Sequence, residues 1–111
     1  MLALTAVLIL TAACGGKSNS VQPVDPLVIS VSFVRHDIHT SQSEYKVAKG
    51  KDVRIFVYSD TADVVHVQGY DKTVTLTPEQ TAQVDFIANK TGLFNVELRQ
   101  AHVRLLQVRV S

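Results

Sequence analysis

Cysteine is nearly absent from this chain: position 14 holds the single one, so no intramolecular disulfide can form. An oxidising compartment is compatible with the sequence but unexploited, and stability has to come from core burial and backbone pairing. Tryptophan is missing altogether, and the only methionine is Met1. Neither sign of charge dominates, with eleven Lys and Arg against ten Asp and Glu. That balance excludes the basic face a nucleic-acid binder needs. It also leaves no polybasic segment for anionic lipid headgroups. The few glycines form no phosphate-cradling loop, and there is no HExxH and no nucleophile elbow. No apolar run reaches the about 20 residues that a bilayer span needs.

What the chain does have begins at the N-terminus. Met1 to Ala13 is apolar and leads into Ala12-Ala13-Cys14, with a polar Gly15-Gly16-Lys17-Ser18-Asn19-Ser20 directly behind. This resembles the signal peptide and lipobox of a bacterial lipoprotein. The resemblance implies that residues 1–13 are removed, that the Cys14 thiol is lipidated, and that Cys14 becomes the mature first residue. Small side chains at Ala12 and Ala13 suit a peptidase with little room beside the cleaved bond. Thr11 stands where leucine is commonest in that family. No Lys or Arg precedes the apolar run, which leaves open a start upstream of Met1. The competing readings are a plain secretory signal with an incidental cysteine, or a short buried segment.

Residues 14–26 read as a linker, rich in Gly, Ser, Asn and Gln and broken by Pro23, Asp25 and Pro26. From Leu27 onward the pattern turns to period two. Ile29, Val31 and Phe33 share one face, as do Val53, Ile55 and Val57. Further short runs follow at Tyr45 and Val47, Val64–Val67, Val74–Leu76, Ala82–Ile87, Phe94–Leu98 and Val103–Val110. Turn signals separate them at Lys49-Gly50-Lys51-Asp52, Gly69-Tyr70-Asp71-Lys72 and Asn89-Lys90-Thr91-Gly92. Short β-branched runs at regular spacing predict one all-β sandwich or barrel over residues 27–111. Pro78-Glu79-Gln80 makes at most one turn. In the last run Arg104, Gln107 and Arg109 mark a wet face.

The order of these features is itself informative. Gly50-Lys51-Asp52-Val53, Ile55-Phe56-Val57-Tyr58-Ser59-Asp60 and Val65-His66-Val67-Gln68-Gly69-Tyr70-Asp71 form the first half. Leu76-Thr77-Pro78, Val84-Asp85-Phe86, Thr91-Gly92-Leu93-Phe94 and Val96-Glu97-Leu98 form the second. From Leu27 to Ser111 this resembles the cupredoxin-like domains of secreted and lipid-anchored bacterial proteins. The resemblance implies a Greek-key β-sandwich of about seven or eight strands. Many relatives carry a second histidine at the place of Gln68, so the chain departs there.

A blue-copper site needs two histidines, a cysteine thiolate and a weak axial ligand such as methionine. The resemblance places that thiolate in or just after Phe94-Asn95-Val96-Glu97-Leu98, where no cysteine stands, and Met1 would leave with the leader. A type 1 copper centre is excluded by inventory, and electron transfer by that route with it. Four histidines remain: His36, His39, His66 and His102. By the same resemblance His66 falls where the family's first copper histidine would lie, and His102 near the second. Meeting at one end of the sandwich, the two imidazoles plus a carboxylate or water would suit Cu(II) or Zn(II). The plainer reading makes His66 an inward residue bonded to backbone. His36 and His39 then become exposed loop histidines in the first long loop.

Asp60-Thr61-Ala62-Asp63 places carboxylates near His66, but such residues commonly satisfy nearby backbone amides. Ser59, His66 and Asp60 or Asp63 make a triad only on paper, since neighbours along one strand seldom assemble one. Tyr70 is expected to pack on the end of the sandwich beside Gly69. The leading expectation is a non-catalytic, lipid-anchored module with no cofactor on the extracytoplasmic face of a bacterial membrane. Its partners would be the membrane, through Cys14, and an envelope protein, met through an edge strand or the end bearing His36, His66 and His102. The rival is a thiolate-free Cu(II) or Zn(II) carrier using His66 and His102.

Overall fold

The alternation of apolar and polar residues builds strands wherever it runs, and nine result. The computed structural model describes residues 25–111, so the leader, Cys14 and the linker up to Val24 lie outside the described residues. The strands are β1 (Leu27–Val34), β2 (Asp37–Thr40), β3 (Glu44–Val47), β4 (Asp52–Ser59), β5 (Asp63–Val67), β6 (Lys72–Leu76), β7 (Gln80–Ile87), β8 (Gly92–Leu98) and β9 (Val103–Val110). They form a four-stranded sheet in the order β2-β1-β4-β7 and a five-stranded sheet in the order β3-β9-β8-β5-β6. The chain changes sheet after β2, β3, β4, β6 and β7. Two pairs are parallel, β1 with β4 and β3 with β9. The architecture is an all-β sandwich of two mixed sheets.

Between the sheets lies one core. Ile29, Val31 and Phe33 of β1 and Val53, Ile55 and Val57 of β4 point into it from one side. Val65, Val67, Val96, Leu98 and Val108 close it from the other. Each fully buried aliphatic side chain contributes roughly 1.5–3 kcal/mol. The β-branched residues lose little on entering strands, because their χ1 is already restricted. Among the described residues, all nine strands and every buried side chain fall between Leu27 and Val110, so both sheets and the core between them lie within residues 25–111. No buried side-chain polar atom among them lacks a hydrogen-bond partner.

Three local features depart from plain alternation. The register between β8 and β9 shifts, with Val96 opposite Leu106 but Glu97 opposite Arg104. Leu105 is the extra residue of this bulge, which lets Leu105 and Leu106 both be buried and puts Arg104, Gln107 and Arg109 on the outer face. Thr77-Pro78-Glu79-Gln80 forms the expected single turn. Gln80 N–H donates to the Thr77 carbonyl at 3.1 Å, and Glu79 takes φ 65° at the position where a type II turn demands a positive value.

The third departure is β2. His36-Asp37-Ile38-His39 is a tight hairpin, where the sequence suggested a long loop. Arg35 and His36 form its turn with φ 52° and 66°, and Asp37–Thr40 pairs antiparallel with Val31–Val34. This is the ninth strand, beyond the seven or eight expected. It is short and lies at a sheet edge, and its residues give no buried alternation.

Candidate functional site

Four connections gather at one end of the sandwich, because β1 and β4 both finish there and β7 and β9 both begin there. They are the turn at residues 35–36, the loop 60–62, the turn 77–79 and the hairpin tip 99–102. Their centre is Asp63, the only buried acid among the described residues, 3% exposed. Its Oδ1 accepts from Gln100 N–H at 2.8 Å and from its own neighbour Val64 N–H at 2.6 Å, while Oδ2 accepts from Ala101 N–H at 3.0 Å. Asp60 Oδ2 accepts from Arg35 N–H at 2.9 Å. Both carboxylates therefore satisfy backbone amides, as loop aspartates were expected to do. Between them they tie three of the four connections together.

The same end holds two histidines, neither in a cage. His102 is exposed in the hairpin tip with φ 56°. His36 is exposed in the β1–β2 turn, with its ring edge-on to Phe33 at a centroid distance of 6.0 Å. His39 lies on edge strand β2, opposite Ser32.

His66 lies in the body of the five-stranded sheet, between Thr73 of β6 and Glu97 of β8. Its neighbours Val65 and Val67 take the inward positions, so the imidazole faces outward and the inward reading is corrected. Its Nδ1 is 3.7 Å from Glu97 Oε1, and Gln68 Nε2 donates to both Glu97 oxygens at 3.3 and 3.4 Å. His66 thus belongs to an outer polar row, and His102 to the tip beyond the start of β9. Among the described residues no three His, Cys, Asp or Glu side chains are grouped to hold a metal ion. β8 ends at Leu98, and Arg99-Gln100-Ala101 follow where the resemblance would put a thiolate.

No hydrolytic triad forms either. Ser59 is fully buried and its hydroxyl donates to the Thr61 carbonyl at 2.9 Å. Asp63 is committed to amides, and His66 faces away from both across the sheet.

A cavity of about 630 Å³ opens toward the other end. Val53, Phe86 and Tyr70 line it together with Arg54, Lys72, Asp85 and Lys90. Its charges are largely spent on neighbours. Arg54 Nε donates to Asp85 Oδ1 at 3.1 Å, and Lys90 Nζ donates to the Gly69 carbonyl at 2.6 Å. Hydrogen bonding from Gln83, then the Arg54 guanidinium, holds the Asp85 carboxyl below its ordinary range. Tyr70 packs as expected, 4.7 Å from Phe86 and 4.8 Å from Phe94 between ring centroids. Its hydroxyl donates to the Lys90 carbonyl at 2.7 Å and accepts from Lys90 N–H at 3.1 Å.

Sequence reasoning named Asp63 only as one of two loop carboxylates. Its burial could not be read there, because two of the three amides it holds come from residues 37 and 38 positions away.

No family model matches the sequence, and neither does any curated protein. Solved structures do resemble it. The periplasmic domain of subunit II of cytochrome oxidase from Bradyrhizobium japonicum aligns with a TM-score of 0.61 at 16% identity, over 80% of this chain and 86% of that one. A copper binding protein solved in its apo form by NMR aligns at 0.62 and 14%, over 81% and 93%. An oxidised amicyanin variant aligns at 0.55 and 13%, over 78% and 82%. At such identities the likeness carries the fold and no ligand. The chain folds as a cupredoxin-like β-sandwich.

Proposed function

We propose that this chain is a non-catalytic binding module on a cupredoxin-like sandwich, tethered by lipid at Cys14 to the extracytoplasmic face of a bacterial membrane. The observation that carries the reading is the state of the loop end. There Asp63 joins β5 to the Gln100–Ala101 tip through backbone amides, and no cysteine is present to serve a type 1 copper. Hydrogen bonds hold together the connections that a metal would otherwise bridge. Ser59, Asp60 and Asp63 are all occupied in that structural role and are not free to form the triad that the sequence offered on paper. The periplasmic setting of the Bradyrhizobium oxidase domain supports an extracytoplasmic address.

The tether is tested by Cys14→Ser in a producing bacterium. Release from the membrane fraction is the expected result, and unchanged fractionation would overturn the anchor.

A second reading keeps the thiolate-free Cu(II) or Zn(II) carrier, because His66 does have a carboxylate beside it in Glu97 at 3.7 Å. Calorimetric titration of residues 25–111 with each metal separates the two. Stoichiometric micromolar binding, lost in His66→Ala or His102→Ala, would replace the leading reading. Heat of dilution alone would retain it and direct attention to envelope proteins as partners.

A further inference from the structure

The outer faces of the two sheets are finished differently. On the five-stranded sheet three pairs of outward polar side chains bond one another: Arg109 with Glu44 at 2.7 Å, Gln107 with Asn95 at 3.0 Å and Gln68 with Glu97 at 3.3 Å. On the four-stranded sheet the outward positions of β4 carry Phe56 and Tyr58, both half-buried, and those of β1 carry Ser30 and Ser32. Neither serine makes a side-chain hydrogen bond to another described residue. The two most exposed large apolar side chains among the described residues, Val28 at 52% and Ile87 at 55%, lie on this face as well. No charged side chain stands at the outward positions of β1, and the Arg54–Asp85 pair below the aromatics is internally neutralised. Charges ring the aromatics, in the Arg54–Asp85 row, at Asp52 opposite Ile87 and at Asp37 on β2, and partly exposed aromatic and aliphatic surface inside a polar rim is the composition of a protein interface.

We infer that this face binds a second copy of the chain, in a twofold dimer whose axis runs parallel to the strands between β1 and β4. The parallel register places Ser30 beside Phe56 and Ser32 beside Tyr58. The face therefore consists of an aromatic ridge next to a serine furrow at the same heights. A twofold rotation about that axis lays β4 of each copy over β1 of the other, so that Phe56 enters at Ser30 and Tyr58 at Ser32 of the second copy. A hollow of about 240 Å³ edged by Ser30, Ser32, Phe56 and Tyr58, with His39 and Thr81 at its flanks, already exists to receive them. Self-complementarity of this kind is what an isologous interface requires. The aromatics and serines carry no charge, and the same rotation sets His39 at the edge of each copy over Thr81 of the other, so the two imidazoles do not meet.

Strands about 4.8 Å apart and about 3.3 Å per residue give the face roughly 500 Å². A dimer would bury roughly 1,000 Å² in total, the lower bound for a specific and reversible contact. Packing two sheets with nearly aligned strands is a standard arrangement. An axis along the strands also leaves both N-terminal arms at the same end of the dimer, as two chains held in one membrane need. The inference itself rests on the sandwich and not on the anchor.

The test is sedimentation equilibrium on residues 25–111 from about 1 μM to 1 mM, with Ser30→Glu, Ser32→Glu and, on the opposite sheet, Thr75→Glu. All three sites are on outer strand faces, and circular dichroism checks that each variant melts as the parent does. The expected result is a reversible dimer with Kd of about 10–100 μM. Either serine variant should weaken it more than tenfold, and Thr75→Glu should leave it unchanged. A monomer throughout the range would overturn the inference. So would a dimer indifferent to both serine variants, or one lost with Thr75→Glu.

Discussion

Asp63 and Gln100 are 37 positions apart in the chain, yet the buried carboxylate of one accepts the backbone N–H of the other at 2.8 Å. This bond and its companion to Ala101 hold the β8–β9 tip against the start of β5. An unpaired amide at a buried site costs about 1–3 kcal/mol, and hydrogen bonds to a charged acceptor are stronger than neutral ones. Asp63→Ala should therefore lower the unfolding free energy by about 2–4 kcal/mol in a urea titration. Asp60→Ala, which frees only the Arg35 amide, should cost less than half as much. Equal losses in the two variants would refute the ranking.

Gly69 and Gly50 both have positive φ, 84° and 94°, but their surroundings differ. A Cβ at Gly69 would land on the ring of Phe94, whereas one at Gly50 would meet no atom within 4 Å. Gly50→Ala should cost only the left-handed backbone penalty of about 1–2 kcal/mol. Gly69→Ala adds overpacking of about 1–3 kcal/mol against a ring already wedged on Tyr70. Thermal melts of the two variants should differ in that order.

Two exposed carboxyls couple folding to acid. Glu44 is held below its ordinary 4.5 by the hydrogen bond from Arg109, and Asp85 below 3.8 by hydrogen bonds from Gln83 and then Arg54. With folded pKa values depressed, the unfolded chain binds more protons. The stabilisation is complete above those ordinary values and disappears as pH falls through the lower, folded ones. Both pairs are solvent-exposed, so the effect is small and weakens with salt. Glu44→Gln with Asp85→Asn should flatten the fall in melting temperature below about pH 4.5, and 1 M NaCl should flatten it in the parent.

His66 packs its ring on the outer face beside Glu97, so it contributes to a surface network and not to the core. His66→Ala should change stability by less than about 1 kcal/mol. Val65→Ala, one residue away but fully buried, should cost about 2–3 kcal/mol. A reversed order in urea unfolding would mean that the strand's two faces are exchanged.

Much of the sandwich was legible in the sequence. Strict alternation in Val53–Val57 and Ile29–Phe33 marked inward faces that are buried as read. Alternation also held the answer for His66, since Val65 and Val67 leave it only the outer side. β2 was illegible for a physical reason. Asp37–Thr40 buries no side chain, so its strand state depends on pairing with β1 and not on its own pattern.

What the sequence determined by itself is local: which residues alternate, where turns fall, and which ligand types are missing, cysteine above all. These follow from side-chain chemistry and the two-residue period, which need no partner. The tertiary structure alone decided which strands became neighbours. The parallel register of β1 with β4 set Ser30 and Ser32 beside Phe56 and Tyr58. The approach of the β8–β9 tip to β5 turned Asp63 from a loop carboxylate into a buried clamp. Such juxtapositions join residues more than twenty positions apart, and only the packing of a shared core brings them together.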